Sequence, residues 1–225
     1  HTDPVHKVTI MPRGRALGYT MVLPEEDRYA VTRNQMLDQL AYTMGGRAAE
    51  ELIFHDPTTG ASNDIEKATN LARAMVTQYG MTQRLGAIKL GISDSQPFLG
   101  RDYGHQRDYS ESIAAVVDSE IREMIENAHQ EAFDVLVANR EILDNLVDEL
   151  LEKETLNKEE IAAIFKKVKK VKPRPAWTGS DSRIPSNQPP VALKPAKIKV
   201  VEEDKAIKKV VSKKNDKEIS KDVNE

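Results

Sequence analysis

The sequence predicts a mainly α-helical domain with a short β-hairpin or small sheet near its N-terminus, followed by a disordered tail. Apolar residues recur at helical spacing through most of the chain before residue 170. Beyond that point lie six of the eleven prolines and several lysine runs. The lysine runs would suit anionic lipid or nucleic acid, but neighbouring acidic residues favour a solvated tail. We therefore place the folded domain at residues 1–169 and a Pro/Lys-rich tail at residues 170–225.

Two short strands are predicted at residues 5–11 and 16–22, where β-forming residues are concentrated. Pro12 begins the turn that joins them. Because proline cannot donate to a sheet ladder, the first strand should lie at a sheet edge or end at Pro12. We expect an edge position for Val8, Thr9, Ile10 and Met11.

Helices are predicted from apolar periodicity and capping residues. The first covers residues 34–53 and is capped by Thr32. The second is capped by Ser62 or Asn63, runs to Tyr79 and stops at Gly80. After an irregular, glycine-containing stretch, three more are predicted at residues 110–137, 140–153 and 157–169, the last capped by Thr155.

Composition and missing motifs exclude several kinds of chemistry. Cysteine is absent, so disulfides, thiolate zinc sites and cysteine nucleophiles are excluded. A net charge of −3 gives no general reason to expect nucleic acid. The sequence contains no Walker loop, dinucleotide fingerprint, serine elbow or H-E-x-x-H helix. The five histidines form no i,i+4 pair, and each is interpreted as a loop or surface residue.

One carboxylate stands out in the second predicted helix. Asp64 begins a row of inward positions that continues along the helix through Ala68, Leu71 and Met75, beside Ile65, Ala72, Val76 and Tyr79. Two interpretations remain open. Asp64 either caps free N–H groups and interacts with the helix dipole, or points into a metal site where the ion compensates its burial.

The first predicted helix contains two adjacent glycines followed closely by two glutamates. Glycine inside a helix costs about 1 kcal/mol relative to alanine, which indicates that another backbone packs close to Gly45 and Gly46. Glu51 lies on the apolar side of this helix, and Glu50 stands beside it. Either both glutamates are solvated, or one orients a metal-ligating histidine.

These residues belong to stretches that resemble FtsH-type ATP-dependent zinc metalloproteases of the AAA protease family. The similar stretches, all in the family's order, are residues 7–20 (KVTIMPRGRALGYT), 45–51 (GGRAAEE), 59–69 (TGASNDIEKAT), 75–81 (MVTQYGM) and 98–101 (FLGR). The ordered set covers about residues 5–168, which makes the resemblance specific although each motif is short.

The resemblance implies a helical peptidase domain within a longer protein. That protein would carry an N-terminal membrane anchor and an AAA module using ATP and Mg, and would form a homo-hexamer. We expect it at the bacterial plasma membrane, with this domain on the cytoplasmic side. Its partners would be unfolded or misassembled membrane and cytoplasmic proteins as substrates, and no nucleic acid.

The resemblance also implies how zinc is held. In this family an H-E-x-x-H helix supplies two zinc ligands and the catalytic glutamate, and a downstream aspartate is the third ligand. That aspartate matches Asp64 by position. We expect the H-E-x-x-H helix upstream of His1, so this chain contains no catalytic residue and alone is inactive. Strand residues 8–11 could pair with an extended substrate backbone.

Two alternatives remain. The apolar stripes of the helices between residues 110 and 169 would also suit a non-enzymatic interaction module. The second alternative keeps the enzyme but assigns the third zinc ligand to Glu50 or Glu51. Asp64 on an inward row favours the enzyme, because an interaction module has no need of a carboxylate there. Between the three carboxylates, we expect Asp64 to be the third ligand.

Overall fold

The helical prediction is confirmed by the computed structural model, which describes residues 3–12, 14, 18–24, 29–91, 108–186 and 188. The described helices are α1 (Arg33–Phe54), α2 (Ser62–Thr77), α3 (Glu111–Ala138), α4 (Arg140–Lys153) and α5 (Lys158–Ile164). The described strands are β1 (Val5–Thr9), β2 (Tyr19–Val22) and β3 (Thr155–Asn157). Among these helices, none combines the length and apolar composition needed to cross a bilayer. The FLGR stretch at residues 98–101 lies outside the described residues.

The main core lies between α1, α2 and α3. On each helix the buried side chains recur at three- or four-residue spacing, as a helix with one apolar face requires. The buried residues are Leu40, Met44 and Ala48 on α1, Ala68, Ala72, Met75 and Val76 on α2, and Val117, Ile121, Met124, Ala128 and Ala132 on α3. Ile65 and Tyr79 do not widen this face as predicted, since they are 40% and 51% exposed.

The helix ends show which capping predictions hold. Thr32 caps α1 in a capping box, because its Oγ1 accepts from the Gln35 N–H at 3.3 Å and Gln35 Oε1 accepts from the Thr32 N–H at 2.8 Å. The predicted cap of α2 is wrong. A 3-10 turn over Thr59–Ala61 leads directly into α2, so Ser62 is already helical and Ala61 occupies the cap position.

Two further helix ends differ from or refine the prediction. The cap of α5 is Asn157, because Thr155 belongs to β3. Past the end of α2, Gly80 has φ +60°, and a Cβ there would lie 2.7 Å from the Ala87 Cα. Only glycine fits such a left-handed position against neighbouring backbone.

The small sheet has the antiparallel order β2-β1-β3, so β1 is its central strand. The predicted edge position of β1 is therefore wrong. β1 does end at Thr9, before Pro12, which was the other predicted way to accommodate the proline. The third strand escaped prediction because it has only three residues and pairs with a strand far away in the sequence. A second apolar cluster of Leu150, Leu156 and Ile161 packs beneath the sheet.

The neighbourhood of the two glycines in α1 also differs from expectation. A Cβ built on Gly45 or Gly46 meets no atom within 4 Å in the described part of the chain. The predicted close backbone is therefore not supplied by the described residues.

Residues 168–178 and 183–186 contain no helix or strand. The predicted division at residue 170 falls in this segment.

The core assignment predicts unequal effects of two leucine truncations. Leu40 is fully buried, whereas Leu151 is 70% exposed. Leu40→Ala should lower the free energy of unfolding by about 2–5 kcal/mol through lost burial and the cavity left behind. Leu151→Ala should change it by less than about 0.5 kcal/mol. Urea unfolding followed by circular dichroism measures both, and equal losses would contradict the assignment.

Candidate metal centre

Asp64 is the third residue of α2 and not its cap. It lies in the first helical turn, where a negative charge interacts favourably with the helix dipole. Its side chain is 46% exposed, and the Lys67 Nζ lies 3.6 Å from its Oδ1. Ala68, one turn later, is buried in the core. The carboxylate thus stands where the inward face of α2 meets solvent, and its ion pair with Lys67 is weak and exposed.

Glu50, near the end of α1, is bound to the loop that leads into α2. Its Oε2 accepts from the Thr58 N–H at 3.0 Å, and its Oε1 accepts from the Thr58 Oγ1 at 2.7 Å. Thr58 Oγ1 in turn accepts from the Gly60 N–H at 3.1 Å. The two bonds from Thr58 lower the pKa of Glu50 below its usual value. Glu50 therefore ties the end of α1 to the turn that precedes Asp64.

Glu51 is held between two other side chains. Arg47 Nε lies 2.6 Å from Glu51 Oε1, and His129 Nε2 lies 3.0 Å from Glu51 Oε2. The contact with His129 is close, although its geometry is not that of a hydrogen bond. Since His129 belongs to α3, Glu51 links α1 to α3.

The three candidate carboxylates therefore have different surroundings. Two are committed to neighbours within the domain, and the third, Asp64, faces partly toward solvent. In the described ranges, no cluster of three or more His, Cys, Asp or Glu side chains could hold a metal ion. A carboxylate oxygen is a suitable zinc ligand. Asp64 fits one ligand position, and the described residues do not complete a site.

The predicted substrate strand does not present a free edge. Lys7, Val8 and Thr9 pair with β2 on one side and β3 on the other. Ile10 and Met11 follow the strand and are 42% and 52% exposed. However, the Ile10 N–H already donates to the Glu154 carbonyl oxygen at 3.0 Å. An incoming backbone could pair with β1 only by displacing a neighbouring strand, so we place no substrate there.

Sequence reasoning missed two residues of this region, Thr58 and His129. Thr58 lies eight residues beyond Glu50, outside helical periodicity, so no sequence pattern joins the two. The inward position of His129 could have been inferred from the sequence, because it lies at helical spacing between Ile125 and Phe133 in the apolar stripe of α3. Its side chain is 21% exposed, and the loop or surface interpretation was wrong for it.

Comparison with known proteins identifies the family. The model of peptidase family M41 matches residues 1–164. The chain is 63% identical over 203 residues to the ATP-dependent zinc metalloprotease FtsH of Cutibacterium acnes, covering 90% of this chain and 28% of that protein. It is 51% identical over 192 residues to the FtsH of Mycobacterium tuberculosis strain H37Rv, covering 84% of this chain and 25% of that protein.

A third relative, the FtsH of Rubrobacter xylanophilus, is 55% identical over 159 residues, which is 71% of this chain and 24% of that protein. This chain thus spans about a quarter of the length of the curated relatives it matches. The similarity to the Cutibacterium protein covers all but about 22 of the 225 residues. An alignment of that length includes residues 170–186 whatever its starting residue. The family match covers most of the chain and the named relatives agree with it, so the chain belongs to peptidase family M41.

Proposed function

We propose that this chain is the proteolytic domain of a membrane-anchored, ATP-dependent zinc metalloendopeptidase, with Asp64 as a zinc ligand. The observation that carries the proposal is a half-exposed aspartate at the start of α2 in a chain that belongs to family M41. The names of the relatives, which include both zinc and ATP dependence, support it. A purely structural interaction module would have no use for this carboxylate.

The surroundings of the carboxylates favour Asp64 over the two glutamates. Binding a metal through Glu50 would compete with its two hydrogen bonds with Thr58. Binding through Glu51 would remove its contacts with Arg47 and His129. Asp64 has only to release the exposed Lys67, which costs little. We therefore assign the metal to Asp64.

The chain's own part in catalysis is to hold this ligand in place. Ala68 and Ala72 seat α2 against the core, and Glu50 fixes the turn before it. When bound, zinc would lower the pKa of a water molecule and polarise the scissile carbonyl. The two histidine ligands and the general base would come from an H-E-x-x-H helix elsewhere in the full-length protein.

We extend the proposal to the full-length protein by its resemblance to the family. It would form a homo-hexamer, bind ATP and Mg in a separate module, and lie in the bacterial plasma membrane with this domain on the cytoplasmic side. Its substrates would be unfolded or misassembled membrane and cytoplasmic proteins. The relatives, about three times as long as this chain, have room for those further parts.

The assignment of Asp64 predicts the effect of removing it from the full-length protein. Asp64→Ala should empty the zinc site and lower casein hydrolysis by more than about 100-fold, because loss of a ligand exceeds the effect of outer-shell changes. ATP hydrolysis should persist. Lys67→Ala is the matched control, since it removes the ion pair and keeps the carboxylate. Zinc per subunit is measured by mass spectrometry, and retained zinc and proteolysis in Asp64→Ala would overturn the assignment.

The incomplete ligand set predicts how this chain behaves alone. After metal stripping and repurification, the 225-residue chain should bind zinc weakly and should not cleave peptides, because a catalytic zinc requires three protein ligands. Equilibrium dialysis and a fluorogenic peptide assay measure these properties. Stoichiometric zinc at micromolar concentration, or metal-dependent cleavage, would contradict the prediction.

The lowered pKa of Glu50 predicts a pH dependence at Thr58. A lowered folded-state pKa means that the Glu50–Thr58 bonds stabilise the fold above the ordinary glutamate pKa and are lost as pH falls through the lowered value. The Thr58 amide NMR signal should therefore titrate with a midpoint below the ordinary glutamate pKa. Glu50→Gln should abolish this titration, and Asp56→Asn should leave it. A midpoint above the ordinary value would contradict the bonding described.

A further inference from the structure

Residues 169–183, which we call the strap, follow the last helical turn and lie across the ends of α1 and α3. The beginning of the strap is fixed at the junction of α3 and α4. There the Lys169 N–H donates to Asn139 Oδ1 at 2.7 Å, and Asn139 Nδ2 donates to the Lys169 carbonyl oxygen at 3.2 Å. This reciprocal pair sets the direction in which the strap leaves the helices.

The centre of the strap is held by Arg174. Its Nη2 donates to both carboxylate oxygens of Glu131 on α3, at 2.7 and 2.5 Å, and its Nη1 donates to Asp38 on α1. All three side chains are largely shielded from solvent, with exposures of 22%, 30% and 18% respectively. One guanidinium thus joins two helices. Removing one partner of such a shielded pair destabilises the fold, because the remaining charge loses its counter-ion.

The contact between Arg174 and Asp38 shifts the pKa of each side chain toward its ionised form. Burial alone would lower the pKa of Arg174, but its hydrogen bonds with Asp38 and Glu131 outweigh burial and raise it. Burial alone would raise the pKa of Asp38, but the hydrogen bond from Arg174 is among the interactions that lower it overall. The ionised forms therefore favour the attached strap.

The far part of the strap contacts the start of α1 and the loop after α2. The Trp177 ring lies 4.6 Å from the Arg33 Cζ, in cation–π geometry. Arg33 Nε also donates to the Met81 carbonyl oxygen at 3.1 Å. Further along, Gln83 Nε2 donates to Asp181 Oδ2 at 3.1 Å. The strap thus contacts α1, α3 and the loop after α2 at separate points.

The prolines of the strap reduce the conformational entropy that is lost when it contacts the helices. Pro173 and Pro175 flank Arg174. Proline fixes its own φ and restricts the preceding residue to extended conformations. The segment around Arg174 therefore has few conformations to lose when it binds the helices. From sequence alone, a proline-rich composition predicts disorder. In the strap, the same prolines favour an extended backbone close to the conformation that contacts the helices.

We propose that the groove between α1 and α3 is a docking site for an extended basic and aromatic segment, and that residues 169–183 of the same chain occupy it as part of the folded domain. The family match ends at residue 164, whereas the similarity to the Cutibacterium relative continues through these residues. The strap holds the first half of α1 against α3. This proposal does not depend on the zinc site.

The single tryptophan of the protein makes the proposal directly testable, because Trp177 lies in the strap. In the full 225-residue chain, Arg174→Ala should release the strap. The Trp177 emission should shift to longer wavelength, and acrylamide quenching should increase at least about twofold, since the ring is 39% exposed when docked. Arg140→Ala is the matched control, because it removes an exposed ion pair with Asp144 on α4. Unchanged quenching in Arg174→Ala would overturn the proposal.

Two further measurements keep the test decisive. If Arg174→Ala loses its helical circular dichroism signal, hydrogen exchange of the wild-type Lys169 amide decides the question. Exchange at least about tenfold slower than in an unstructured peptide supports docking, and exchange at the peptide rate overturns it. Quenching that depends on protein concentration would show that the groove takes the strap of a second copy, which also overturns attachment within one chain.

Discussion

The close packing of alanines between α1, α2 and α3 is the constraint on which the rest of the structure depends. Ala48, Ala68 and Ala72 are almost completely buried. A side chain this small lets helix axes approach closely, and a larger one would force them apart in a core with little free space. Because Asp64 lies one turn before Ala68, the seating of α2 in this core also fixes where that carboxylate stands.

The three acidic residues near the candidate centre have different contacts, although they lie in one region of the domain. Glu50 and Glu51 are neighbours in sequence, yet each is occupied by a different part of the domain. Glu50 holds the loop at Thr58, and Glu51 joins α1 to α3 through His129. Asp64 is 46% exposed and pairs weakly with Lys67, while the two glutamates connect the elements around it. This division explains why residues of one type in one region need not share one role.

Most of the helices could be predicted from sequence because their signals are local. Apolar spacing and the Thr32 box located α1, and the same reasoning gave the bounds of α4 without change. Tertiary contacts decided the features that were missed. The three-residue β3 exists because it pairs with β1, and this pairing places β1 at the centre of the sheet. The start of α2 depends on a 3-10 turn held by Glu50 through Thr58. Sequence likewise could not show that no described residue packs against Gly45 or Gly46.

For the candidate centre, sequence patterns could single out Asp64 but could not decide between metal binding and capping. The structure excludes the cap position and shows what occupies the glutamates, and the zinc assignment rests on the family. The most direct test is a crystal structure of the zinc-loaded full-length protein, with data collected at the zinc absorption edge. We predict zinc about 2.0–2.2 Å from a carboxylate oxygen of Asp64, with Glu50 still bonded to Thr58 and Glu51 still in contact with His129. Zinc bound to Glu50 or Glu51, with Asp64 facing solvent, would contradict the account.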